Sequence, residues 1–274
     1  MLRAELLKIT TTRASKAAVT VGVVGLILTQ ALLVTVFPAL ASGAIGPGRE
    51  VLGEDFPVFN LMTATAQLDA VSPLGYSSGI GSIGFAVLAV LMLGVLAGTT
   101  DYRFGGIVTT ALAQPRRSRI LAAKVGAMAL IGLVVGLMYA AASLVSLVIA
   151  LLMTGTGLAA SFPELLGVLG RGTLVVALLA VLGLAVGMLT RNQVGGVLAM
   201  LGILFFEIIA QSLAQLVTGS VPVWAQIMPL ALSQQAVSSI AAAGFTPWLA
   251  IAAFAALVAL IVAVAAVALR TRDI

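Results

Sequence analysis

Residues 101–124 read DYRFGGIVTTALAQPRRSRILAAK, a charged island between two uncharged apolar runs. Arg103, Arg116, Arg117, Arg119 and Lys124 stand there against a single acid, Asp101. If the runs on either side lie in lipid, the chain leaves the bilayer at this island, and an excess of Lys and Arg marks the cytoplasmic face. Composition places the runs in lipid. The 274 residues are 61% hydrophobic and 8% charged, where a soluble domain carries about 25% charge. No soluble core of this length hides so much apolar surface. The fold class expected is an all-α polytopic membrane protein forming one transmembrane domain over 1–274.

Reading outward gives six spans, at 17–41, 80–100, 120–152, 171–189, 194–217 and 248–269, with 101–119 as the segment between spans two and three. Residues 1–16 carry Arg3, Lys8, Arg13 and Lys16 against Glu5. Leu2, Leu6 and Ile9 share one helical face and Glu5, Lys8 and Thr12 another, the pattern of a short amphipathic helix lying in the interface. The first apolar run ends in Ala39-Leu40-Ala41, an A-x-A pattern, but it exceeds a signal-peptide core and is read as an uncleaved span. The loop 42–79 is acidic, with Glu50, Glu54, Asp55 and Asp69 against Arg49. Residues 153–170 are expected as a short outer connection, and Arg191-Asn192-Gln193 as a tight inner turn.

Residues 208–269 are 62 positions without a formal charge, long enough to hide another span. The candidate, 223–243, contains Gln226, Pro229, Ser233, Gln234, Gln235, Ser238 and Ser239. These are costly against lipid, so the stretch is read as one or two short helices dipping back from the outer surface. The charges agree with six spans. Twelve of the 14 Lys and Arg residues fall on one side, all but Arg49 and Arg171, which puts both termini in the cytoplasm.

Little chemistry is available within the chain. Without Cys or His, thiolate mechanisms, the common catalytic triads and the usual zinc ligands are absent. The nine acids show no paired arrangement for proton transfer. Gly79-Ile80-Gly81-Ser82-Ile83-Gly84 matches G-x-G-x-x-G, but it opens a span rather than following a strand. No P-loop is present, so ATP, if it is used, is bound elsewhere. Net charge is +5, without the interleaved aromatics of a nucleic-acid surface. Gly94 with Gly98, Gly132 with Gly136 and Gly183 with Gly187 have the spacing of close helix packing without naming an interface.

Two sets of residues remain. Glu207 is the one acid deep in a span, with Gln211 and Gln215 following on the same face. A carboxyl group there costs about 2.5 kcal/mol or more against lipid. The stripe therefore lines a route or holds helices together. Gln114-Pro115-Arg116-Arg117-Ser118-Arg119 ends one helical segment and starts another, and the basic loop before span three is a place for a soluble partner to dock.

On these residues the chain resembles the membrane subunit of a bacterial ABC transporter of the ABC-2 type. Asp101-Tyr102-Arg103-Phe104-Gly105-Gly106-Ile107, then Leu112-Ala113-Gln114-Pro115-Arg116-Arg117, are similar to a family pattern of acid, aromatic, Arg, any residue, Gly, Thr, Ile, a helix and a Pro-Arg turn. Asp101 replaces the more usual Glu, and Gly106 stands where Thr is common. The basic opening helix, the 191–193 turn and the basic ending fit the same layout. The resemblance implies a second permease copy or a paralogue as dimer partner, and a separate ABC ATPase subunit that supplies ATP and Mg. It implies a coupling helix after span two, with Asp101, Tyr102, Arg103, Gly105, Gly106 and Gln114 in the coupling role, and re-entrant helices between spans five and six. It implies export across the bacterial cytoplasmic membrane of a small or amphipathic substrate. Two other classes fit the residues: an ion-coupled carrier with Glu207 as the proton site, and a non-transporting membrane scaffold.

Overall fold

The computed structural model describes residues 1–41, 43, 45–46, 61–75, 84–106, 117–219, 221–239 and 245–271. The elements are helical: α1 (Leu2–Thr11), α2 (Arg13–Ala41), α3 (Ala64–Ala70), α4 (Phe85–Arg103), α5 (Arg117–Thr154), α6 (Phe162–Thr190), α7 (Gln193–Thr218), α8 (Val223–Gln226), α9 (Pro229–Val237) and α10 (Pro247–Thr271). Six of them, α2, α4, α5, α6, α7 and α10, are long and apolar enough to cross a membrane. The chain is a multi-pass helical membrane protein. α5 has 38 residues, about 57 Å at 1.5 Å per residue, nearly twice a hydrocarbon core.

α6 is the axis of the bundle. It packs against α4, α5, α7, α9 and α10, and 83% of its apolar window is buried inside the protein, against 22% for α2 and for α10. Small residues let its neighbours approach. A Cβ on Gly94 of α4 would lie 2.2 Å from the Ala180 carbonyl oxygen, and one on Gly183 of α6 2.2 Å from that of Leu91. Gly98 and Gly187 repeat the contact one turn along. Gly132 and Gly136 of α5 press on Ala177 and Thr173, another face of α6. All three glycine pairs are therefore spent within one chain, where backbone approach raises dispersion contact.

Two helix boundaries differ from the sequence reading. α6 starts at Phe162, nine residues before the expected 171. Ser161 donates its N–H and hydroxyl to the Glu164 carboxylate at 3.0 and 2.6 Å, and Pro163 sits in the first turn, where its missing N–H costs nothing. The proline is thus a start signal, and the outer connection shrinks to 155–161. The opening helix stops at Thr11, not at residue 16. Thr10, Thr11 and Thr12 turn their hydroxyls back onto the carbonyls of Leu6, Leu7 and Lys8 at 2.6–2.8 Å. Thr12 takes an extended backbone, and α2 begins at once. Residues 80–83 of expected span two lie outside the described residues.

Buried polar side chains tie the connections at the end of the bundle away from the chain terminus. Gln67 of α3 donates to the carbonyls of Leu61 and Gly157 and accepts from the amides of Ala159 and Ala160, all at 2.8–3.1 Å. Gln30 donates to the Ala70 carbonyl at 2.8 Å, just before a π-helical stretch, Ala31–Val36, inside α2.

Candidate functional site

The charged end of the bundle gathers α1, the end of α4, the start of α5, the α6–α7 turn and the end of α10. Asp101, in the last turn of α4, is buried. Its carboxylate pairs with Lys124 of α5, also buried, and with Lys8 of α1. Lys124 reaches Glu5 of α1 as well, at 3.0 Å. Four charges spread over 119 residues of sequence thus form one network, clamping the opening helix onto α4 and α5. Leu6 and Ile9 pack beneath it. Burial, then the Lys124 ammonium, push the Lys8 ammonium below its ordinary value, and Glu5 pulls against them. Asp101 therefore presents no carboxylate on the surface.

The neighbouring residues do reach the surface. Gly105 adopts φ 69° with open space around it, a left-handed turn that ends α4 at low cost. Arg103 and Phe104 stand exposed beside it. The Arg103 guanidinium donates to the Gln193 side chain and lies 5.3 Å over the Phe104 ring. A Cβ at Gly106 would come 3.2 Å from an Asp101 carboxylate oxygen, so a larger residue there presses on the network. Gln114, the remaining expected coupling residue, lies with 107–116 outside the described residues.

Across from Arg103, Arg191 caps α6 in a left-handed conformation, φ 55°. Asn192 then opens α7, accepting from the amides of Val194 and Gly195 at 2.9 and 3.2 Å. Arg191 donates to the Ala268 carbonyl of α10 at 3.2 Å and stacks 5.5 Å over the Tyr102 ring. The Tyr102 hydroxyl is buried without a hydrogen-bond partner among the described residues. Between these groups lies a cleft of ≈ 600 Å³, walled by Tyr102, Arg103, Arg191, Asn192, Val197 and Leu198. The 101–106 segment and the 191–193 turn thus form one surface.

The second expected set lies in α7. Glu207 is buried, and its oxygens accept from the backbone amides of Leu230 and Ala231 at 2.9 and 2.7 Å. Gln211, also buried, donates to it at 3.0 Å. Pro229 opens α9 and has no N–H, and the Leu232 amide bonds the Met228 carbonyl at 2.9 Å. Glu207 therefore satisfies the orphan donors that the first turn of α9 leaves. Gln215 is separate: it is exposed and donates to the Gly219 carbonyl at 3.4 Å, closing the end of α7.

Sequence reasoning missed the other clamps on α9. Arg171, counted outside as a stray charge, lies in the third turn of α6 and donates to the Ala236 carbonyl at 2.9 Å. Asp69 accepts from the Ser239 hydroxyl at 2.8 Å and more weakly from its amide at 3.4 Å. α9 is thus held at its first turn by an acid and near its last by a base, complementary to its dipole. The only signal in the sequence was two charges, Asp69 and Arg171, in apolar surroundings. Among the described residues, no group of acids forms a metal-holding cluster. Comparison with family models, curated proteins and solved structures finds no match for this chain.

Proposed function

We propose that the chain is the permease subunit of an ATP-driven exporter in a bacterial cytoplasmic membrane. Its charged end faces the cytoplasm, and a separate ABC ATPase docks there. The observation that carries this reading is the exposed Arg103–Phe104 turn, set beside the 191–193 turn and mounted on the buried Asp101–Lys124–Glu5–Lys8 network. Load applied at such a turn passes into α1, α4 and α5 together, because breaking a buried ion pair is costly. The excess of Lys and Arg at that end supports the orientation. In this reading Asp101 is a positioning residue and Arg103 a contact. ATP and Mg stay with the partner. α1 serves as the interfacial helix, 101–119 as the coupling segment, and α8 and α9 as helices that re-enter from the outer side. A second copy or a paralogue completes the route. Nucleotide binding does work on the spans only through different affinity for their two arrangements.

The hydrogen bonds of Glu207 favour an anchoring role over that of a proton site, and so favour the exporter over the ion-coupled carrier. Its influence on substrate movement runs through α9. The test is affinity purification of the tagged chain from its native membrane in mild detergent, probed for a P-loop ATPase. Wild type is expected to bring down a stoichiometric partner and Arg103→Glu to lose it, with Leu198→Ala as a control for the cleft wall. No ATPase with wild type, or undiminished recovery with Arg103→Glu, overturns the reading.

A further inference from the structure

A groove of ≈ 700 Å³ runs between α1 and α2 on one side and α5 on the other. Its chemistry is graded. Thr10, Ser15 and Lys16 line it where α1 meets α2, at the charged end. Val19, Ile131, Val134 and Met138 line it farther in. Met138 lies 14 residues beyond Lys124 of the charge network, about 21 Å deeper along the helix. Val134 and Met138 are 58% and 44% exposed, so the groove opens sideways onto the surface that meets lipid tails. Lys16 is exposed and has no ion-pair partner among the described residues, although the neighbouring Lys8 and Lys124 are both paired.

We propose that this groove holds one acyl chain of an anionic phospholipid from the leaflet at the charged end, with the Lys16 ammonium on its phosphate. The occupant follows from the gradient. An apolar channel that opens into the hydrocarbon region, with a free cation at its interfacial mouth, complements an amphiphile with a negative headgroup. A soluble anion would leave the apolar wall bare, and a wholly apolar molecule would leave Lys16 unused. Because the groove's walls are α1, α2 and α5, the lipid would fix the opening helix to the first span. This inference rests on the chain crossing the membrane and not on any ATPase.

The test is native mass spectrometry of the purified full chain, titrated with phosphatidylglycerol or with phosphatidylcholine of the same acyl chains. Wild type is expected to retain one phosphatidylglycerol in about fivefold preference, the scale of one Lys against an anionic headgroup. Lys16→Gln is expected to bring the preference to near one. Val134→Trp fills the groove from α5, and Thr20→Trp fills it from α2, where Thr20 is exposed. Each is expected to cut retention of both lipids at least fivefold. Leu152→Trp, at an equally lipid-facing site near the other end of α5, is expected to change nothing. An unchanged preference in Lys16→Gln, or wild-type retention in both tryptophan variants, overturns the proposal. A shift in oligomeric mass in Val134→Trp instead of lipid loss also overturns it, by making the groove an interface between copies.

Discussion

Replacing Glu207 separates an anchor from a proton site. In the structure its carboxyl group accepts from two buried backbone amides and one amide side chain, at 2.7–3.0 Å. Glu207→Gln keeps one acceptor oxygen and turns an NH2 toward one of the donors, stranding a single buried N–H. That costs about 1–3 kcal/mol. Glu207→Ala strands all three donors, about 3–9 kcal/mol. At about 2–4 °C per kcal/mol for chains of 150–250 residues, Gln lowers Tm by roughly 2–12 °C and Ala by more. The damage is local before it is global. Amide exchange at Leu230 and Ala231 rises first, and emission from Trp224 and Trp248, the only two tryptophans, reports the same loosening on either side of α9. An anchoring role is overturned if Glu207→Gln melts with wild type and leaves amide exchange at Leu230 and Ala231 unchanged. A carboxyl group that served only as a proton carrier would give that result, with transport lost and stability kept.

Four further outcomes follow from the packing. Asp101→Asn leaves Lys124 underpaired in a buried site and is expected to cost about 3–5 kcal/mol, read as a lower melting temperature and faster tryptic cleavage at exposed Arg13. The double variant Asp101→Leu with Lys124→Met, which removes the buried charges together, recovers part of that loss. Gly183→Ala drives a Cβ to 2.2 Å from the Leu91 carbonyl and is expected to cost about 1–3 kcal/mol by overpacking. Gly202→Ala meets nothing within 4 Å on α7 and is expected to be neutral or to gain up to about 1 kcal/mol from helix propensity, both read as thermal stability in detergent.

The candidate sites were legible to unequal degrees. Asp101 through Gly106 drew attention because charge is rare in this chain, yet nothing local distinguishes Asp101, which is buried, from Arg103, which is exposed two residues away. Their difference is fixed by Lys124 and Lys8, which come from two other helices. Glu207 and Gln211 were paired correctly by their i, i+4 spacing, since a helix face is a local property. Gln215 fits the same spacing, but by then α7 has run past the first turn of α9, and the side chain meets only its own helix end. Arg171 falls within α6 because Phe162-Pro163-Glu164, which reads as a loop, opens that helix, and a proline in the first turn breaks nothing.

Hydropathy and the placement of Lys and Arg determined that this chain is a helical membrane protein of six spans with most of its Lys and Arg on one side. Both follow from transfer free energies, which add along the chain without regard to partners. The tertiary structure alone decided which span sits at the centre. α6 and α10 are similarly apolar, yet 83% of one and 22% of the other is buried within the protein. In water an apolar stripe points to the core. In lipid the surroundings are as apolar as the interior, so the facing of each helix is set only by how glycines, buried hydrogen bonds and ion pairs from distant segments fit together.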